Sequence, residues 1–235
     1  MTHEGAASHP PAQLTFGGCG GMYSYELGVA AVIQRDFDLS GVAISGASAG
    51  CFPALLTALD LDIEEHQVSW NLAFLEEVNR NRFGALAKWN STVRRWTASM
   101  LPEEGWVTAN SRLHVSLTRV PSWRNLIVSD WTSNADLLDG VMASAFVPLF
   151  DAGRLVARFR GQRYVDGSLT DSWPLPHGSD VPSLVIKRDM WRPNQASWLW
   201  CWSDPAWAGQ LYNWGVDDAE DHLEDIAAVL KPHSV

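Results

Sequence analysis

The chain has 235 residues, of which 46% are hydrophobic and 19% charged, a composition typical of a globular protein with ample material for a core. A formal net charge of −10 opposes non-specific binding to nucleic acid and to anionic membranes, so we expect no nucleic-acid partner. No apolar run has the length and purity of a transmembrane helix, and residues 1–11 show no secretory signal. Three cysteines without a CxxC pair indicate a reducing, cytoplasmic setting.

The first half of the chain alternates strand and helix patterns. In order we predict a disordered tail over 1–12, a strand over 13–16, a helix after residue 22, a strand over 42–44, and helices over 51–59, 63–80 and 86–100. The last of these helices has an aromatic-rich face, for which we favour core packing over lipid contact.

The second half continues the alternation. We predict strands over 113–117 and 125–128 that pair, a helix over 136–146, two strands over 155–158 and 163–165 that reverse at Gly161, a strand over 184–187, a Trp-rich loop over 190–203 and helix over 204–230. Without a Pro/Gly-rich linker, this pattern predicts one α/β domain over 13–231 and a short tail over 232–235. Most of the 13 tryptophans are expected in the core.

A nucleophile elbow is predicted between the strand over 42–44 and the following helix. Gly46-Ala47-Ser48-Ala49-Gly50 has the form Gly-x-Ser-x-Gly, in which a sharp strand-to-helix turn tolerates only small neighbours. Such a turn holds the Ser48 hydroxyl on a tip beside the partly positive start of a helix. The pattern alone is also compatible with an ordinary Gly/Ser turn.

A second glycine-rich turn follows the first strand, at Gly17-Gly18-Cys19-Gly20-Gly21. Bare backbone N–H groups at a helix start bind anions, so this loop suits either a dinucleotide or the oxyanion of an acyl-transfer reaction. The dinucleotide interpretation is weak because Tyr23 occupies the third glycine position, where close packing tolerates no side chain. Asp36 and Asp38 also precede the next strand rather than end it.

Asp166 is the candidate partner of Ser48. Asp166-Gly167 ends a predicted strand, and sites in parallel α/β sheets form at the carboxyl ends of strands. A Ser-Asp-His triad would instead need a histidine after Asp166, and the available residues lack specialised surroundings: His177, His222 and His233. Because only two strands precede Ser48, too few for an α/β-hydrolase, a serine–aspartate dyad fits better.

Taken together, these motifs resemble the patatin-like phospholipases, in particular the adipose triglyceride lipase branch. The resemblance runs from about residue 13 to 230 and includes the segments 18–20, 46–50, 101–103, 112–120, 125–129, 143–148, 163–167 and 211–219. It implies a three-layer α/β/α fold with a mostly parallel central sheet and an early nucleophile elbow.

The resemblance also implies the chemistry of the site. Ser48 would be the nucleophile and Asp166 its base, and the oxyanion hole would be formed by the amides of Gly18, Cys19, Gly20 and Gly21. No metal or organic cofactor is required. A carboxylate without a histidine is a weak base near neutral pH, so we expect Asp166 to be at least partly desolvated.

The implied function is hydrolysis of a lipid acyl ester, with triacylglycerol or related acylglycerol favoured and glycerophospholipid next. The implied partners are a lipid substrate and, peripherally, a membrane or lipid droplet. The chain departs from the family at Met22-Tyr23, where a basic or apolar residue and glycine are usual, and mildly at Ser168. Tyr23 could narrow the acyl entrance, so a weak lipid-binding pseudoenzyme remains an alternative, as does an acylglycerol transacylase.

Overall fold

The computed structural model describes residues 10–80, 88–149, 153–195 and 204–233. The predictions for residues 1–9, for 196–203 of the Trp-rich loop and for Leu86 lie outside the described residues.

Strands and helices alternate as predicted, with ends displaced by a few residues. The strands are β1 Gln13–Phe16, β2 Phe37–Asp38, β3 Ala43–Gly46, β4 Leu113–Val120, β5 Arg124–Val128, β6 Ala157–Phe159, β7 Gln162–Val165, β8 Ser183–Ile186 and β9 Lys231–Pro232. The helices are α1 Tyr23–Asp36, α2 Cys51–Ala58, α3 Ile63–His66, α4 Leu72–Arg80, α5 Trp89–Met100, α6 Gly105–Ala109, α7 Asn134–Ser144, α8 Pro205–Asp221 and α9 Leu223–Ala227. A π-helical turn at Gln67–Asn71 joins α3 to α4, and β2 and β9 form a small ladder that the sequence analysis missed.

The main sheet has seven strands flanked by helices, and β8, β1, β3 and β4 are neighbours that run parallel. The predicted α/β fold with a mostly parallel sheet is therefore confirmed. The other three strands, β5, β7 and β6, form antiparallel pairs with β4 or with each other, so the sheet is mixed.

Pairing along β4 explains how distant segments meet. Val115 pairs with Gly46 of β3 and Val128 of β5, and Thr118 pairs with Val165 of β7 and also with β5. Since a strand has two edges, β5 occupies one and β3 and β7 share the other. Strands β3 and β7 run in opposite directions, so their carboxyl ends face each other at the middle of β4. The expectation that Asp166 follows a strand parallel to β3 was wrong, because β7 is antiparallel to β4.

The main cluster of buried apolar side chains extends from Ala12 to Leu230, and a second, smaller cluster includes Phe74, Val93 and Met142. Helices α1 and α8 cross closely where Gly28 and Gly215 face the opposite backbone. A Cβ at Gly28 would collide with the Tyr212 carbonyl and lie 2.9 Å from the Val216 nitrogen. The crossing therefore requires glycine.

We expect Gly28→Ala to lower the free energy of unfolding by about 3 kcal/mol, because the helix backbones must separate to admit a methyl group. Gly209→Ala, in the same helix α8 but with open space around the added carbon, is the control and should raise stability by roughly 0.5–1 kcal/mol through helix propensity. Urea denaturation of both variants measures the difference. Equal stability of the two would contradict the close crossing.

The expectation that most tryptophans lie in the core was wrong for the described residues. Among the described tryptophans only Trp131 is fully buried, Trp123 and Trp173 are exposed, and the rest are half-buried. Of the half-buried rings, Trp89 lines the cavity of Ser48 described below. Within the described ranges, no helix combines the length and apolarity needed to span a bilayer.

Candidate active site

Ser48 lies on a strained turn directly after β3. Its φ is +52°, a left-handed conformation that residues with a Cβ rarely adopt, and Ala47 before it is extended. A Cβ at Gly46 would lie 2.8 Å from the Cys51 Cα, and a Cβ at Gly50 would lie 2.6 Å from the Phe16 carbonyl oxygen. Both glycines are therefore required sterically, and the turn has the geometry predicted for a nucleophile elbow.

Asp166, which follows β7, meets Ser48 at the gap between β3 and β7. The Ser48 hydroxyl donates to Oδ2 of Asp166 at 2.5 Å. Ser168 donates to the other carboxylate oxygen twice, from its backbone N–H at 2.9 Å and from its hydroxyl at 2.6 Å. One carboxylate oxygen is therefore held by Ser168, and the other accepts the hydrogen bond from Ser48.

The electrostatic environment of Asp166 favours a proton acceptor. Burial raises the pKa of Asp166 above its ordinary value, and this effect outweighs the hydrogen bonds from Ser168 and Ser48, which lower that pKa. The expectation that this carboxylate is partly desolvated is confirmed. A raised pKa makes the carboxylate a stronger base than a free aspartate.

Ser144, at the end of α7, holds the elbow and was not assigned a role from the sequence. Its hydroxyl donates to the Ser116 carbonyl at 2.7 Å and accepts from the Ser48 backbone N–H at 3.0 Å. The same oxygen accepts from the Cys51 thiol at 3.2 Å. One buried hydroxyl therefore ties the elbow to β4, and only its place in the segment 143–148 could have indicated this.

The four residues predicted for the oxyanion hole differ in their geometry. The Gly18 N–H donates to the Ser172 carbonyl at 3.2 Å and is engaged. No acceptor among the described residues lies within hydrogen-bond distance of the N–H groups of Cys19, Gly20 or Gly21. Cys19 is fully buried, whereas Gly20 and Gly21 line the cavity that holds Ser48. Gly20 has a φ of +52° and turns the loop toward this cavity.

The role of Gly18 is steric: the position must lack a side chain, and its N–H is already engaged and is not a donor for the oxyanion hole. A Cβ at this position would lie 2.6 Å from the Cβ of Ser168 and 3.6 Å from that of Ser48. A side chain would therefore push the loop away from both the serine and the carboxylate.

Ser48 and Asp166 open into a cavity of about 550 Å³ with mainly apolar walls. Its lining includes Phe52, Val93, Met142, Phe146, Pro148 and Leu169. Arg188 is the cation on its wall, and its guanidinium donates to the Gly18 carbonyl at 3.4 Å. The cavity thus combines an apolar surface with a positive charge beside the glycine loop, and sequence analysis did not identify Arg188.

Tyr23 lies beside a smaller aromatic cavity of about 80 Å³, which also contacts Gly20 and Gly21, and does not line the cavity of Ser48. Its hydroxyl shares a hydrogen bond of 2.9 Å with Nε2 of His66, whose pKa burial lowers to about 4. Trp70 stacks on His66 with ring centroids 4.4 Å apart. The tyrosine hydroxyl is thus held by His66, and its ring packs on Phe52, which separately lines the Ser48 cavity.

The histidine triad has no support among the described residues, since no described histidine lines the cavity of Ser48. His177 packs against His114, Nδ1 of His222 donates to the Asp218 carbonyl, and His233 follows β9. The dinucleotide interpretation also fails on position, because Asp36 ends α1 and Asp38 lies in β2, which pairs with β9 outside the main sheet.

The sequence of this chain is similar to those of several known proteins. The family model described as Patatin-like phospholipase matches residues 14–177. Patatin-like phospholipase domain-containing protein 4 of Homo sapiens is 37% identical over 177 residues, which cover 72% of this chain and 69% of that protein. Patatin-like phospholipase domain-containing protein 2 of Mus musculus is 33% identical over 169 residues, which cover 69% of this chain and 34% of that protein.

A further relative is the omega-hydroxyceramide transacylase of Mus musculus, 30% identical over 177 residues that cover 72% of this chain and 29% of that protein. The chain thus spans about a third of the length of these last two proteins. The family model covers well over half of the chain, and it includes the elbow, the glycine loop and Asp166. The chain belongs to the patatin-like phospholipase family.

Proposed function

We propose that this protein is a serine hydrolase of lipid acyl esters, with Ser48 as nucleophile and Asp166 as its base. The observation that carries the proposal is the 2.5 Å hydrogen bond from the Ser48 hydroxyl to a half-buried carboxylate in the wall of an apolar cavity. Family membership supports lipid acyl chemistry in general, and the dyad is our own assignment.

The reaction follows from this contact. Asp166 takes the hydroxyl proton as Oγ of Ser48 attacks the ester carbonyl carbon, and a tetrahedral oxyanion forms. When the oxyanion collapses, the ester C–O bond breaks and Asp166 returns the proton to the leaving alcohol. Asp166 then takes a proton from water, whose oxygen attacks the acyl-Ser48 carbonyl carbon. When this second oxyanion collapses, the bond from the carbonyl carbon to Oγ breaks, Asp166 returns the proton to Oγ, and the fatty acid leaves with Ser48 restored.

We assign the oxyanion hole to the N–H groups of Gly20 and Gly21, which line the cavity and have no acceptor among the described residues. Each preorganised donor of this kind is worth about 2.7–4 kcal/mol of transition-state stabilisation. The guanidinium of Arg188, on the same wall, adds positive potential near the developing negative charge.

The favoured substrate is triacylglycerol or related acylglycerol, followed by glycerophospholipid. The apolar walls of the Ser48 cavity suit an acyl chain, and the neighbouring aromatic cavity shares Phe52 and Val93 with it. An ester embedded in a lipid phase requires peripheral contact with a membrane or lipid droplet, which we propose as the working location.

Acyl transfer is the second candidate, because one relative is named a transacylase. In that reaction a lipid hydroxyl replaces water in the second half, and Asp166 takes its proton in the same way. A lipid-binding pseudoenzyme is less well supported, since Tyr23 does not line the Ser48 cavity.

A product assay on mixed triacylglycerol and phospholipid emulsions tests the proposal, with Ser48→Ala as the blank. We expect free fatty acid from the wild type and none above background from the blank, and fluorophosphonate labelling at Ser48 in the wild type. Acylated alcohol without free fatty acid would favour the transacylase. Absence of both labelling and product, with a control hydrolase active, would reject the enzyme.

A further inference from the structure

A groove lies between the turns of two neighbouring β-hairpins, β4–β5 and β6–β7. It has a volume of about 410 Å³ and is lined by three arginines, one each from β4, β5 and β7: Arg119, Arg124 and Arg163. We call it the arginine groove. No described residue on its wall is acidic, although the whole chain carries a net charge of −10.

Among the described residues, no carboxylate balances the positive charges of the arginine groove. Arg119 and Arg124 are directly opposed cross-strand partners, and like charges in this position destabilise a sheet. Among the described residues, no carboxylate pairs with Arg119, Arg124 or Arg163, and Arg119 donates only to the neutral Gln162 side chain at 2.6 Å. In contrast, five other arginines each form an ion pair with a carboxylate: Arg35, Arg94, Arg95, Arg160 and Arg192.

Trp123, in the β4–β5 turn beside the arginine groove, is strained and exposed. Its φ is +51°, where glycine is favoured and a bulky residue is an outlier, and 61% of its surface is accessible. Leu126, on the strand that follows, is 40% exposed. Tryptophan is enriched where a protein meets the lipid–water boundary, because its ring is apolar and its N–H is polar.

The arginine groove is close to the reacting groups. Arg163 precedes Asp166 by three residues on one extended strand, which is about 10 Å. That span is longer than the link between an ester and its own phosphate, so the groove suits head groups of neighbouring lipids rather than that of the reacting molecule.

We propose that the arginine groove and Trp123 form a docking surface for phosphate head groups of an anionic lipid surface. The arginines attract the head groups, and the indole inserts at the boundary, so that the entrance of the Ser48 cavity is held near the lipid phase. The occupant follows from charge complementarity, since a local cationic cluster on an acidic protein attracts anions at one face only. The inference extends the proposed lipid hydrolase function.

Vesicle co-sedimentation of the full chain tests the docking surface. The probes are phosphatidylcholine vesicles with and without phosphatidylserine, and the test variant is Arg119→Gln/Arg124→Gln/Arg163→Gln. We expect the wild type to prefer the anionic vesicles and the triple variant to lose about fivefold in partition coefficient per arginine, or roughly hundredfold in all. Trp123→Ala should weaken binding to both kinds of vesicle, and replacement of the three arginines by lysine should restore most of the binding.

The matched control is Arg35→Gln/Arg94→Gln/Arg95→Gln, which changes the net charge equally at arginines that are already paired with carboxylates. It should bind vesicles almost as the wild type does. An equal loss in both triple variants would mean that net charge alone governs binding and would overturn the proposal. The proposal would also be overturned if millimolar inorganic phosphate displaced the wild-type protein from anionic vesicles. Binding of a single-stranded oligonucleotide to the groove more tightly than the vesicles bind would overturn it as well.

Hydrolysis of a water-soluble short-chain ester separates this inference from the proposed function. The groove variant should hydrolyse that ester as fast as the wild type, since none of its three arginines lines the Ser48 cavity. If the wild type fails on the soluble ester, the proposed function fails. If vesicle binding is unchanged in the groove variant, the docking surface fails while the hydrolase stands.

Discussion

Asp166→Asn is expected to lower the turnover of acyl esters by roughly 10³- to 10⁴-fold, because the amide cannot take the Ser48 proton. Asparagine is nearly isosteric, so the hydrogen bonds from Ser168 and the packing around Gly167 should persist. The measurement is the rate on a soluble ester, with the melting temperature as a check of the fold. Retention of more than about a tenth of the activity would contradict the dyad, since general-base removal costs far more.

The pH dependence gives an independent test of Asp166. A base acts when deprotonated, so activity should be present above the pKa of Asp166 and lost as the pH falls through it. Because burial raises this pKa, the loss should occur above about pH 4, the ordinary range of aspartate. Ser168→Ala removes a hydrogen bond that lowers the pKa and should move the acid limb to higher pH. Ser172→Ala, whose hydroxyl bonds only the Ser168 carbonyl, is the control.

Replacement of Ser48 by alanine or by glycine is expected to lower turnover by about 10⁶-fold. The two variants should differ in stability. At a φ of +52° alanine retains the strain of a Cβ in the left-handed region, whereas glycine relieves it. We expect Ser48→Gly to be more stable than Ser48→Ala by about 1 kcal/mol.

The comparison of these two variants isolates backbone strain, because both lack the hydroxyl and its bond to Asp166. Urea denaturation midpoints provide the measurement. If Ser48→Ala were the more stable, Ser48 would not occupy a strained turn, and the elbow geometry would be wrong. If either variant kept measurable turnover above a mock preparation, the nucleophile would have to be sought elsewhere.

Local chemistry was largely readable from the sequence. Gly46, Ser48 and Gly50 predicted the elbow because a sharp turn excludes side chains. At Gly46 this requirement comes from Cys51, close along the chain, whereas at Gly50 it comes from the backbone of Phe16 in β1. The alternation of apolar residues likewise predicted the main strands and helices, since burial periodicity is a local property. The short β2–β9 ladder was missed because two-residue strands carry no period.

Long-range geometry came only from the tertiary structure. Asp166 reaches Ser48 because β3 and β7 meet end to end along one edge of β4, a pairing between segments more than a hundred residues apart. The engagement of the Gly18 amide by Ser172, the turn of Tyr23 toward His66 and the gathering of three arginines at two hairpins have the same origin. The sequence by itself determined the candidate site residues, because residue type and local turn pattern are properties of short segments. Only the tertiary structure decided which of them meet, because strand order and register depend on the packing of the whole chain.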